Sequence, residues 1–187
     1  MNLIHSYLCQ SADWKRKVKE EVVPWALEGI ELHGDVLEIG PGYGATTDVL
    51  LTRVERLTCV EVDRRLAEKL RRRTVDQKVA VLCQDATQLP MLDGMFDAAV
   101  CFTMLHHVPS AALQDRLLGE VARVLRPGGI FAGRDSTYSL RFRLLHVFDT
   151  LTVVDPQGFP DRLQAAGFTN VQVDVVAGSF RFRARKP

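Results

Sequence analysis

The sequence predicts an α/β fold with a largely parallel sheet covered by helices on both faces. Three observations carry this. Short apolar runs alternate with stretches of helical spacing from residue 36 to residue 133, and that alternation calls for right-handed crossovers and a sheet buried on both sides. The first run, Val36-Leu37-Glu38-Ile39, ends in Gly40-Pro41-Gly42-Tyr43-Gly44, and a helical pattern follows at once. Strand, tight turn and helix start are the parts from which such folds build a nucleotide-like ligand site. The chain closes with two runs joined by Ala177-Gly178-Ser179, a hairpin that makes the sheet mixed.

Length and composition bound the answer. The 187 residues suit one domain with a substantial core, and we read 1–187 as that domain, with a helical segment over residues 11–29. No repeat, low-complexity tract or linker interrupts it. A formal net charge of +1 argues against a dedicated nucleic-acid binder. No apolar run approaches the roughly 20 residues needed to cross a membrane. Met1-Asn2-Leu3-Ile4-His5-Ser6-Tyr7 lacks the basic start and apolar core of a signal peptide. Cys9, Cys59, Cys83 and Cys101 show no Cys-x-x-Cys spacing. They read as reduced, packed thiols of a cytoplasmic protein, and no metal is expected because no ligand cluster stands out.

In chain order, residues 11–29 carry Trp14, Val18, Val22 and Trp25 at helical spacing, with Ser11 as N-cap. Pro24 lacks an amide and should kink the helix near Val23. The segment serves either as a cover over the ligand cleft or as packing at the sheet edge. A helix follows over 45–53, then a strand over 57–61. Asp63 caps the next helix, which carries Leu66, Ala67 and Leu70 inward. Arg64, Arg65, Arg71, Arg72 and Arg73 read as its solvated face and C-terminal turn, where positive charge suits the helix dipole. Strands are expected at 79–83, 96–102 and 130–133. Between the last two, Ser110 caps a helix with Leu113, Leu117, Val121, Val124 and Leu125 inward. Residues 135–150 are irregular, with a short helix around 140–149. A helix over 159–166 and strands over 171–176 and 180–185 complete the chain. Arg181, Arg183 and Arg185 alternate with Phe182 and Ala184, as on a strand with one polar face.

The loop defines its ligand. Glycine has no Cβ and tolerates positive φ, so a ligand can approach the backbone closely, and the helix start offers free amides and a positive dipole end. Glu38, just before the first glycine, would repel a pyrophosphate but suits an ammonium or sulfonium. Glu61 lies about 20 residues past the loop, where a carboxylate receives a ribose diol. Asp85 ends the third strand at the same edge, placed to accept from an exocyclic amine. A ligand with ribose and positive charge but no phosphate fits S-adenosylmethionine, and fits NAD poorly.

Together, Leu37-Glu38-Ile39-Gly40-Pro41-Gly42-Tyr43-Gly44, Val60-Glu61-Val62-Asp63, Gln84-Asp85-Ala86, Phe96-Asp97-Ala98-Ala99-Val100 and Leu125-Arg126-Pro127-Gly128-Gly129 resemble a class I S-adenosylmethionine-dependent methyltransferase of the small-molecule type. The resemblance implies a Rossmann-like seven-stranded mixed sheet, order 3-2-1-4-5-7-6, with the last strand antiparallel. It implies that Glu38 and the backbone of Gly40, Gly42 and Gly44 face the methionine part of the cofactor. Glu61 would hold the ribose and Val62 pack on the adenine. Asp85 and the Ala86 amide would meet the adenine ring, and the backbone at Phe102 and Thr103 the methionine ammonium. The loop also resembles ribosomal RNA adenine dimethylases. Those carry Asn-Leu/Pro-Pro-Tyr after the fourth strand, where this chain reads Phe102-Thr103-Met104-Leu105-His106-His107, a departure that disfavours nucleic-acid amine methylation.

The sulfonium is an activated methyl donor, so the protein has to align a nucleophile and exclude water. A general base serves acceptors that arrive protonated. His106 and His107 are the first candidates. His146, with Tyr138, Arg141 and Asp149, is a candidate substrate contact by position. The expected partner is a small-molecule acceptor. The rival readings are a cofactor-binding regulatory or partner protein without catalysis, and an NAD-dependent oxidoreductase.

Overall fold

The computed structural model describes residues 3–75 and 77–187, apart from the side chains of Leu3, Ile4, His5 and Arg141. Among the described residues the strands are β1 (Asp35–Ile39), β2 (Arg56–Glu61), β3 (Val79–Cys83), β4 (Phe96–Phe102), β5 (Leu125–Ser136), β6 (Thr169–Val176) and β7 (Ser179–Arg185). They form one seven-stranded sheet in the order β3-β2-β1-β4-β5-β7-β6, the order expected. The first five are parallel, and β7 lies antiparallel between β5 and β6.

Strand alternation sends successive side chains to opposite faces, and each face meets its own helices. Leu37, Ile39, Ala99, Cys101 and Phe131 pack with Leu117, Leu118 and Val121 of α6 (Ala111–Val124) and with Phe159 and Leu163 of α8 (Phe159–Ala165). On the other face, Val36, Cys59, Ala98, Val100 and Ala132 pack with Ala45, Val49 and Leu50 of α4 (Ala45–Leu50) and with Ala67 and Leu70 of α5 (Arg64–Arg73). The expected caps form. Ser11 accepts from Trp14 N, Asp63 from the amides of Arg65 and Leu66, and Ser110 from Leu113 N.

The break expected near Val23 takes another form. A π turn, Val18–Val22, joins α2 (Ala12–Lys17) to α3 (Val23–Ala26). Pro24 has no amide for the Glu20 carbonyl and its ring crowds that group. Widening the turn, with Val23 N bonded to Val18 O, absorbs the misfit without ending the helical path. Val18, Val22, Val23 and Ala26 are core residues. The sequence pattern does not announce α1 (Leu3–Gln10), which touches the glycine loop: Ser6 Oγ lies 2.5 Å from the Tyr43 hydroxyl.

The strand expected over 130–133 runs on to Ser136, because β7 pairs along it as far as Ser136–Ser179. Asp135 therefore belongs to the sheet edge and not to the irregular stretch. Among the described residues, no helix is long and apolar enough to cross a membrane.

Candidate active site

The glycine loop sits at the carboxyl end of β1. Gly40, Gly42 and Gly44 have φ of +66°, +54° and +78°. A Cβ on Gly40 would lie 2.1 Å from Met104 Cγ, and one on Gly44 would lie 2.2 Å from Arg73 Nη2. Only glycine satisfies both the dihedral and the space. We expect Gly40→Ala to cost about 2 kcal/mol or more, a fall of at least about 4 °C in melting temperature, with loss of cofactor binding. A melt with and without ligand checks it.

Arg73 braces the loop from α5, with Nη1 2.5 Å from Asp48 Oδ1 and Nη2 3.1 Å from Gly44 O. The reading of the arginine cluster as a solvated face holds for Arg72, which pairs with Glu68. It misses Arg73, and in part Arg71, which pairs with Glu68 but also donates through Nη2 to Val81 O at 2.9 Å.

Glu38 is the clearest departure from expectation. It is buried, and its carboxylate is taken up by the hydroxyls of Thr46 and Thr47 and by the Cys59 thiol. It ties β1 to the first turn of α4 from beneath the loop instead of presenting a charge to a ligand. The sequence places it next to the glycines, but strand alternation points it into the helix-covered face. Burial raises its pKa above the ordinary 4.5, against the lowering effect of the three donors. The unfolded chain thus releases this proton first, and the native state holds more protons in the window above pH 4.5. Stability contributed here falls as pH rises through that window. Glu38→Gln should flatten that part of the pH–stability curve, as denaturant titrations between pH 4 and 8 would read.

Glu61 and Asp85 rim one edge. Glu61 pairs with Cys83 across parallel strands, and Asp85 follows two residues later. Glu61 is nearly buried and accepts from Gly42 N and Asp63 N, both at 2.9 Å. Each carboxylate oxygen keeps a further lone pair. Burial raises its pKa above the usual range, with the backbone amides working in the opposite direction. Val62 beside it is 70% exposed, an apolar surface open at the cleft. Asp85 is exposed, with Oδ1 on Thr87 N at 2.8 Å, and Ala86 is half-buried. Phe102 is buried. Thr103 has a φ of +50°, and its amide is spent on Arg134 O at 2.7 Å.

Past Met104, the chain builds an imidazole cluster. His106 is buried in the 3₁₀ turn Leu105–His107, and its Nδ1 lies 2.6 Å from Asp135 Oδ1. Burial alone would raise the Asp135 carboxyl, but attraction and hydrogen bonding from His106, with the Ser136 and His106 amides, hold it below the usual range. An ionised Asp135 requires Nδ1–H as donor, so that in the neutral ring Nε2 is the nitrogen with the lone pair. That atom is buried, without a hydrogen-bond partner among the described residues. His107 and His146 complete the cluster, with ring centroids 4.2 and 5.0 Å from that of His106. His146 follows α7 (Leu140–Leu145), and its Nδ1 lies 2.8 Å from Phe142 O. Asp149 lies near enough to Cys9 of α1 to add to burial in pushing that thiol up to about 11. Tyr138 is exposed at 55%. The side chain of Arg141 lies outside the described residues. The sequence shows no metal-ligand spacing and does not announce this grouping of imidazoles. The ring nitrogens of His106, His107 and His146 lie within 4.8 Å of one another, because β5 and the turn after α7 carry His146 back over β4.

The chain is similar to known proteins. A family model described as a methyltransferase domain matches residues 37–133, just over half of the chain. The chain is 33% identical over 149 residues to ribosomal RNA small subunit methyltransferase A of Bordetella pertussis. That match covers 70% of this chain and 55% of the relative, so the chain spans about half the relative's length. Its fold resembles the N-methyltransferase NodS of Bradyrhizobium japonicum, solved with S-adenosyl-l-homocysteine, at TM-score 0.74 and 19% identity, over 97% of this chain and 91% of that one. It also resembles a complex of the Haloferax volcanii Trm112 methyltransferase activator and a methyltransferase, at TM-score 0.77 and 15% identity, over 100% of this chain and 99% of that one. At such identities these structures bear on the fold alone. The chain belongs to the methyltransferase domain family.

Proposed function

We propose that the protein transfers the methyl group of S-adenosylmethionine to a small-molecule acceptor at the ends of β4 and β5. The observation that carries this is the Asp135–His106 pair in the turn after Met104, which in the neutral ring leaves the lone pair on His106 Nε2, a buried atom with no hydrogen-bond partner among the described residues. The residues at the cleft fit the donor. Glu61 and Asp85 stand on adjacent strand ends for ribose and adenine, and Val62 offers an apolar face between them. The bare glycine loop admits the methionine part. Once bound, the donor supplies an electrophilic methyl on a cationic sulfur.

The chain supplies alignment and a place for a proton. Glu61 fixes the ribose, and with it the direction in which the methyl points. The buried imidazoles keep water from the reacting atom. An acceptor hydroxyl or ammonium gives its proton to His106 Nε2, and its lone pair takes the methyl as the S–C electrons return to sulfur. Asp135 holds the ring in the required tautomer and is a positioning residue. Cys9, Cys59, Cys83 and Cys101 are free thiols, which supports a cytoplasmic setting.

Calorimetry with S-adenosylhomocysteine tests the donor half, and no heat at millimolar ligand would refute it. Labelled S-adenosylmethionine offered with a panel of small phenols, amines and carboxylates, and separately with ribosomal RNA, tests the acceptor half. The curated relative favours RNA as a second reading. Against it stand the net charge of +1 and the sequence Phe102-Thr103-Met104-Leu105 after β4. Label in RNA alone would overturn the small-molecule reading.

A further inference from the structure

We infer that His106, His107 and His146 hold a divalent transition-metal cation at the acceptor end of the cleft. The inference rests on the proposed methyl transfer only for its consequence, not for the binding. Three imidazole nitrogens within 4.8 Å of one another converge from two chain segments. A tetrahedral zinc site, with Zn–N of about 2.0–2.1 Å, needs nitrogens about 3.4 Å apart. The gap to close is thus on the order of 1 Å, and each histidine sits on a turn or at a helix end.

The surroundings of the rings carry the case. A metal-bound histidine usually gives its other N–H to a carboxylate or a backbone carbonyl, which fixes the tautomer and strengthens the ligand. Both forms occur here. His106 Nδ1 is set on the Asp135 carboxylate at 2.6 Å, and His146 Nδ1 on the Phe142 carbonyl at 2.8 Å. In both rings Nε2 is then the lone-pair nitrogen, and both rings are buried. His106 Nε2 is also a buried polar atom with no partner among the described residues, an arrangement that costs free energy unless something meets it. Gln114, itself buried, anchors the turn by donating to Leu105 O at 2.9 Å and to Thr152 O at 2.8 Å. Imidazole ligands without thiolate suit Zn²⁺, Co²⁺ or Ni²⁺ over Mg²⁺. Three protein ligands leave a coordination position open, as in catalytic sites. That position suits an acceptor with an oxygen or nitrogen donor, whose proton would then leave to solvent; the role of His106 Nε2 as a base belongs to the metal-free protein.

The test uses the full, untagged chain, stripped with a chelator and titrated with Co²⁺ and then Zn²⁺. We expect one equivalent of Co²⁺ with the visible absorption of an imidazole-bound ion, displaced by Zn²⁺. His106→Ala and His146→Ala should weaken binding by about 100-fold or more, and Asp135→Asn by roughly 10–100-fold. His33→Ala, at an exposed position, should change nothing. Should the buried-site variants fail to fold, His107→Ala at a half-buried position carries the same expectation. Binding weaker than millimolar, or equal in wild type and His107→Ala, would overturn the inference. S-adenosylhomocysteine calorimetry on the same samples separates the two readings. Cofactor binding without cobalt binding leaves methyl transfer standing and removes the metal. Cobalt binding without cofactor binding does the reverse.

Discussion

Glu61→Ala should lower affinity for S-adenosylhomocysteine by at least about 100-fold while leaving the fold intact. The carboxylate sits at the end of β2, nearly buried, and holds Gly42 N and Asp63 N. Its remaining lone pairs face a ribose diol in the proposed complex. Hydrogen bonds to a charged group are worth about 1.5–3 kcal/mol each, and about 1.4 kcal/mol is a tenfold change, so losing two predicts the stated effect. The loop adds to it, because Gly42 loses its tether. Glu61→Gln keeps an acceptor oxygen and should lose less. The melting temperature without ligand should move little, since burial of this carboxyl opposes its charged form. Isothermal calorimetry decides the matter, and a loss under threefold would mean that the ribose lies elsewhere.

The second large effect concerns turnover. His106→Ala should reduce kcat by roughly 10²–10⁴-fold, the usual range for a proton-transferring side chain. Affinity for S-adenosylhomocysteine should stay within about twofold, because His106 lies past Met104 from the glycine loop. Asp135→Asn should reproduce much of the loss with the imidazole still present. A neutral amide can offer its N–H to Nδ1 and so favour the tautomer with the lone pair on the wrong nitrogen. A merely structural role for Asp135 would instead lower the melting temperature and leave the ratio of kcat to cofactor affinity unchanged. Steady-state rates on the accepted substrate, paired with melts, separate the two.

Much of the fold was legible along the chain. The β1–loop–α4 unit, the caps Ser11, Asp63 and Ser110, and the strands at 79–83 and 96–102 follow from local signals: hydrophobic period, glycines with positive φ, and side chains that hydrogen-bond free amides. The placing of Glu61 and Asp85 at one end of the sheet was legible too, since parallel strands joined by short crossovers must end on the same side. Arg73 was not, because an arginine in a basic run looks the same whether it faces water or reaches a carbonyl on another element. Glu38 was misplaced because its neighbours in sequence are ligand-facing glycines, whereas its neighbours in space are Thr46, Thr47 and Cys59. Asp135 was hidden in a stretch without periodicity, and became a strand residue only because β7 pairs beside it.

What the amino-acid sequence determined by itself is the alternation of strands and helices, the glycine loop and the carboxylates at the ends of β2 and β3, while the sheet order was implied by the family resemblance. Those features depend on residues close together in the chain or on the short list of ways to connect parallel strands. Only the tertiary structure decided which side chains meet past Met104. His106 and His107 come from the exit of β4, Asp135 from an extended β5, and His146 from the turn after α7. No local rule relates these positions. They converge because an antiparallel strand lengthens β5 and the following helix folds back over it.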